Sequence, residues 1–98
     1  MGKLSAFELE VLGRVAEDYK APHTIAGDIA RELKRSISEA DVQAALLALA
    51  QSGMVQAYVY DPQHQRYNPI TPNDAQSAKE PWFIATATGF SERERHAS

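Results

Sequence analysis

The sequence predicts an α+β fold in which three helices precede a small antiparallel sheet and a last helix ends the chain. Two observations predict it. Apolar residues recur about every four positions through the first half of the chain, which is the period of a helix with one buried face. After Gly53 the period changes to two, and β-branched and aromatic residues become frequent, which is typical of strands.

The composition predicts one globular domain over residues 1–98. Hydrophobic residues make up 44% of the chain and charged residues 23%, so there is enough apolar surface to build one core. The lack of cysteine excludes disulfides, thiolate metal sites and a cysteine nucleophile. The net charge is -3, so overall charge does not attract the chain to nucleic acid or to an anionic membrane.

Other function classes find no support in the pattern. The three histidines, His23, His64 and His96, are isolated, and no phosphate-binding or nucleophile motif occurs. We therefore expect no catalytic, cofactor or metal site. The longest apolar run, residues 44–50, is far shorter than the ~20 residues that cross a bilayer, and the N-terminus lacks a signal-peptide core. These features predict a cytoplasmic protein that makes no membrane contact.

The first helix is predicted over residues 5–19. Ser5 and Glu8 have the spacing of a capping box, in which each side chain accepts a hydrogen bond from the backbone N–H of the other residue. One apolar face follows at intervals of four: Phe7, Val11, Val15 and Tyr19. Pro22 ends the helix, because the residue before a proline is disfavoured in the helical conformation.

The second and third helices are predicted over residues 24–34 and 39–52. Thr24 is the expected N-cap of the second helix, and Ser38 that of the third. Gly53 has the position of a left-handed residue just after a helix.

The sheet is predicted as two strands, residues 54–60 and 82–86, joined by a polar loop over residues 61–80. That loop contains three prolines and is long for a hairpin connection. Within it, Thr71 and the proline after it could begin a short helix. The last helix is predicted over residues 87–96, with Thr86 as its N-cap.

This order of elements resembles a winged helix-turn-helix domain, and the resemblance covers residues 4 to about 96. Residues 38–55, SEADVQAALLALAQSGMV, are similar to the third helix of that superfamily and its entry into the β-wing. Residues 82–89, WFIATATG, are similar to the aromatic-x-Leu-Thr-x-x-Gly stretch that opens the last helix of PadR-like regulators. Ala85 stands where leucine is usual, whereas Thr86 and Gly89 match.

The resemblance implies a DNA-binding domain of the transcriptional-regulator type. The third helix would enter the major groove, and the wing would reach the phosphates or the minor groove. A homodimer formed through the first or last helix is also expected of such relatives. The residues that the resemblance places at DNA are Lys34, Arg35 and Arg66 on phosphates, Ser36 and Ser38 at the start of the third helix, and Gln43 on adenine.

The outer face of the third helix supports an alternative. From residue 39 to residue 52 the helix has two acidic residues and no basic one, whereas helices that approach phosphate usually carry Arg or Lys. Such a nearly apolar helix is expected to be covered by the long loop, a second subunit or a partner protein. The alternative function is therefore protein interaction or self-association without nucleic acid. Its face consists of Ala40, Ala44, Leu47 and Ala48.

Overall fold

The computed structural model describes residues 4–16, 18–34 and 36–97. The helices are α1 Ala6–Arg14, α2 Pro22–Leu33, α3 Glu39–Gln51, α4 Pro72–Ser77 and α5 Ala87–Ala97. The strands are β1 Val55–Asp61, β2 Arg66–Ile70 and β3 Trp82–Ala85. Both β2 and β3 are antiparallel to β1, in the sheet order β2-β1-β3. The predicted α+β class is confirmed.

The core lies between the first three helices and one face of the sheet. Along β1 the side chains alternate, so Val55 and Ala57 point into the core. Phe83 of β3 is the largest fully buried side chain. Apolar side chains of the three helices pack in the same cluster: Val11, Leu12, Val15, Ile25, Ile29, Val42, Leu46 and Leu49.

The predicted end of the first helix is wrong, because α1 stops at Arg14 and not at residue 19. The backbone beyond it pairs with β3 instead. The N–H and carbonyl of Lys20 bond to the carbonyl and N–H of Phe83 at 3.0 and 2.9 Å, and the Ala85 N–H donates to the Val15 carbonyl at 2.8 Å. These bonds to the sheet replace the next helical turn, so Tyr19 lies beside the sheet and not on α1.

The second helix begins two residues before the predicted start. Thr24 is its third residue and not its N-cap, which is Ala21, without a side-chain bond. Pro22 occupies the first helical position, where its fixed φ suits a helix and its missing N–H costs nothing.

The third helix agrees with its prediction. The Asp41 N–H donates to the Ser38 hydroxyl oxygen at 3.0 Å, which caps α3 at its N-terminus. Gly53 follows the helix with φ 76°, the left-handed conformation expected after a helix.

The predicted loop 61–80 is wrong as a loop, because it contains β2 and α4. β2 pairs with β1 from Asp61 opposite Arg66 to Ala57 opposite Ile70, and we call this hairpin, residues 55–70, the wing. Pro69 weakened the sequence pattern of a strand over these residues. β2 tolerates it because β2 is an edge strand, and one side of its backbone needs no hydrogen-bond partner. The predicted short helix is present, and Thr71 caps it by accepting from the Asp74 N–H at 3.1 Å.

The start of α5 is fixed by a close contact with the start of the sheet. The Thr86 hydroxyl accepts from the Gly89 N–H at 3.1 Å, as expected of an N-cap, and donates to the Gly53 carbonyl at 2.6 Å. Gly89 lies so near the strand entry that a Cβ there would be 1.8 Å from the Met54 carbonyl oxygen. Only glycine permits this approach, which explains why the stretch that resembles PadR-like regulators has glycine at this position.

We expect Gly89→Ala to lower the free energy of unfolding by about 2 kcal/mol or more, because α5 must move away from Met54. Gly27→Ala is the matched control. A Cβ at Gly27 meets nothing within 4 Å, so that change should raise stability by roughly 0.5–1 kcal/mol. Urea unfolding measures both, and equal effects of the two variants would contradict the contact.

Candidate nucleic-acid interface

The exposed side of α3 is apolar and uncharged at its centre. Successive residues turn by about 100° around a helix, so burial of Val42 and Leu49 leaves the opposite side free. On that side Ala40 and Ala44 are exposed, and Leu47 is half-buried with part of its side chain packed against the core. Ala48, the fourth residue of the predicted face, is half-buried. The surface of residues 40, 44 and 47 is called the outer face below.

One flank of α3 is covered by the segment that follows the wing. Ala75 of α4 is fully buried in the core cluster. The connection from α4 to β3 then passes α3, where Gln43 lines a small cleft together with Lys79 and Pro81. The chain itself therefore covers this flank of α3, while Ala40 and Ala44, on the face predicted to be covered, are exposed.

Gln43 keeps its hydrogen-bonding groups available. The side chain is half-buried and makes no hydrogen bond among the described residues. In that same part of the chain no side-chain nitrogen or oxygen is buried without a partner. The amide of Gln43 therefore reaches solvent.

The connection between α2 and α3 presents a cation and two hydroxyl groups. Lys34 ends α2 in the left-handed conformation, with φ 55°, and its N–H donates to the Ala30 carbonyl. The side chains of Lys34, Ser36 and Ser38 are exposed. Arg35, the other predicted phosphate contact here, lies outside the described residues.

The wing tip is a short turn held by one carboxylate. Asp61 accepts from the Gln63 N–H at 3.0 Å and from the His64 ring Nδ1 at 2.6 Å. The hydrogen bond from His64 is the main cause that holds the pKa of Asp61 below its usual value of 3.8. Arg66 is exposed directly opposite Asp61 in the strand register, which places it at the tip.

Aromatic rings support the base of the wing on the face of the sheet away from the core. Tyr67 stacks on Tyr19 with ring centroids 4.0 Å apart and an interplanar angle of 3°. The ring centroid of Tyr67 also lies 5.8 Å from that of Trp82 and 5.2 Å from that of Tyr60. Burial raises the pKa of the neighbouring Tyr58 phenol. These contacts tie the wing to β3 and to the α1–α2 connection, so the rings serve the wing as supports.

Most cations elsewhere on the described surface are neutralised. Arg14 bonds to Glu10 and Glu32 at 2.6 Å each, and the bond to Glu32 is the main cause that raises the pKa of its guanidinium. Lys20 and Arg31 both pair with Asp28.

Within the described ranges, three basic side chains form no ion pair with a described carboxylate: Lys34, Arg66 and Lys79. Sequence reasoning missed Lys79. It is exposed at the end of the α4–β3 connection, beside the cleft that Gln43 lines, and only the fold of the inserted segment brings it there.

Residues 4–16, 18–34 and 36–97 lack two kinds of feature. No group of three His, Asp or Glu side chains has an arrangement that would hold a metal ion. None of the helices in these ranges combines the length and the apolar character that a membrane span requires.

Comparison with solved structures identifies the architecture. The hsRosR-S1 complex structure superposes with a TM-score of 0.73 at 15% identity, covering 96% of this chain and 70% of that one. A mutant of ZitR from Lactococcus lactis gives a TM-score of 0.62 at 21% identity, covering 98% of this chain and 52% of that one. PadR from Bacillus subtilis, solved in complex with operator DNA, gives 0.68 at 12% identity, covering 97% and 48%.

These similarities show a winged-helix, PadR-like fold. The chain spans about half the length of the ZitR and PadR chains. The three neighbours are transcription regulators. No protein-family model matches the chain, and no curated protein matches it.

We expect Asp61→Asn to destabilise the wing in a pH-dependent way. Because the pKa of Asp61 is lower in the folded protein, its stabilising effect is complete above the usual value of 3.8 and is lost as the pH falls through the folded value. The variant should therefore have a lower thermal midpoint at pH 6, and the difference should vanish in strong acid. Asp74→Asn, on α4, is the control, and a pH-independent difference would contradict the role of the carboxylate.

Tyr67→Ala should lower the free energy of unfolding by about 2 kcal/mol, because Tyr67 contacts rings from three parts of the chain and leaves a gap when truncated. Tyr60 is 44% exposed and packs at the margin, so Tyr60→Ala should cost less than about 1 kcal/mol. Trp82 is the sole tryptophan. Its fluorescence should change in the first variant more than in the second, and the reverse order would disprove the central position of Tyr67.

Proposed function

We propose that this chain is the DNA-binding domain of a transcription regulator, with α3 in the major groove and the wing on the DNA backbone. The observation that carries the proposal is that two exposed cations, Lys34 and Arg66, make no ion pair with a described carboxylate. They lie in the connection before α3 and at the wing tip. The fold is also that of PadR, which was solved on operator DNA, and this supports the same proposal.

Each proposed contact follows from the chemistry of its side chain. Lys34, Arg35 and Arg66 contact phosphates, since cations release counterions there. The Ser38 hydroxyl oxygen already accepts from the Asp41 N–H, so its hydrogen remains free to donate to a phosphate, and Ser36 can do the same. The Gln43 amide offers the donor and acceptor pair that adenine matches in the major groove.

The proposal includes a single domain, a cytoplasmic location and a homodimer formed through α1 or α5. The alternative remains a protein partner or second copy on Ala40, Ala44, Leu47 and Ala48, without nucleic acid. The operator-bound state of PadR favours DNA over that alternative, and sedimentation of the free protein tests the homodimer.

A titration of random-sequence duplex against salt tests DNA binding. We expect the logarithm of the association constant to fall linearly with the logarithm of salt concentration, because each neutralised phosphate releases counterions. Lys34→Ala and Arg66→Ala should each reduce the slope by about one.

Arg95→Ala is the matched control for the loss of one positive charge. Arg95 lies on α5 beside Glu92, so its removal should leave the slope unchanged. A failure to bind any duplex at about 50 mM salt, where electrostatic binding is strong, would overturn the proposed function. Equal slope changes in all three variants would contradict the roles of Lys34 and Arg66.

A further inference from the structure

We propose that α3 selects A·T-rich DNA chiefly by contact with the C5-methyl groups of thymine. This inference rests on the proposed function, because it names the class of DNA that the same surface reads. Three features of the described structure lead to it: the chemistry of the outer face, the absence of cations on α3, and the amides beside that face.

The outer face presents methyl groups to a groove. Ala40 and Ala44 are exposed one helical turn apart, and the half-buried Leu47 extends the same surface. Thymine is the base that carries a methyl group in the major groove, and apolar side chains are its natural contact there. A face with this chemistry gains from burying methyl groups and gains little from the polar edges of G·C pairs.

Guanine has no matching side chain on the helix. Its N7 and O6 atoms are read by the two-pronged donors of Arg or by Lys. Residues 39–51 contain neither; Lys34 precedes the helix in the chain, and Lys79 belongs to the α4–β3 connection that passes it. Recognition of guanine by α3 itself is therefore disfavoured.

The amides next to the outer face favour the same base pairs. Gln43 reaches solvent with no described partner, and Gln51 is exposed at the end of α3. A glutamine amide can bond to N6 and N7 of adenine, so the polar contacts select adenine where the apolar ones select thymine. Glu39 and Asp41, in the first turn, can accept from cytosine N4, which makes cytosine the competing choice at that end of the helix.

The test begins with selection of bound duplexes from a randomised pool by the full chain. Thymine in the selected duplex is then replaced by deoxyuridine, which removes the methyl group but keeps the base pairing. We expect the selected sites to be A·T-rich and the affinity to fall about fourfold for each thymine methyl removed from the interface, which is the effect of burying one such group. The slope of log association constant against log salt concentration should not change, because the protein contacts the same phosphates.

Protein variants assign the effect to the outer face. Leu47→Ala should remove the sensitivity to deoxyuridine at one position of the site. Leu33→Ala is the control, since Leu33 is a leucine 45% exposed on α2. Ala44→Ser alters an exposed side chain without touching the core and should weaken the preference for thymine even if Leu47→Ala proves unstable.

The outcomes separate this inference from the proposed function. Salt-dependent binding with no effect of deoxyuridine, or selection of G·C-rich sites, would overturn the thymine reading and leave DNA binding intact. No binding to any duplex would overturn the proposed function itself. Loss of affinity on deoxyuridine that Leu47→Ala or Ala44→Ser reduces would support the inference.

Discussion

The fold depends on the pairing of β3 with two partners at once. On one side β3 bonds to β1, and on the other it bonds to the chain between α1 and α2 through Lys20. Phe83, in the middle of this short strand, is fully buried among the three core helices. β3 thereby joins the wing and the α1–α2 connection to the helical core, and α5 begins two residues after it.

The two sides of β3 determine how the candidate interface is held. On the core side, Phe83 packs in the same cluster as the buried residues of α3 and so helps to fix its orientation. On the opposite side, Trp82 packs against Tyr67 of the wing. α3 and the wing are therefore supported from two faces of one strand, and a rigid support of this kind is what the proposed contact with a DNA groove would require.

Much of this architecture was predictable from local signals. Ser38 and Thr86 cap helices as their sequence positions indicate, and Gly53 adopts the expected left-handed conformation. These three signals depend only on residues a few positions away in the sequence, whereas Thr24 lost its predicted N-cap position because Pro22 begins α2 two residues earlier. The end of α1 was not predictable in this way, because Tyr19 keeps the helical spacing while tertiary pairing with Phe83 decides its backbone.

The inserted segment shows the same limit at the candidate site. β2 was missed because prolines broke its pattern, and its stability comes from a partner strand and from Tyr67 packing on Tyr19, far away in sequence. The chemical character of the outer face could be predicted, since residue types alone determine it. The position of Lys79 beside Gln43 could not, because it depends on where α4 turns the chain.

Lys34 carries a wider consequence. Its backbone is in the left-handed conformation, which lowers the free energy of unfolding by roughly 1 kcal/mol for a residue that has a Cβ. Glycine at this position would avoid most of that cost. A lysine here keeps a positive charge at the expense of stability. If Lys34 binds a phosphate as proposed, the α2–α3 turn is a position where stability favours glycine and DNA binding favours lysine.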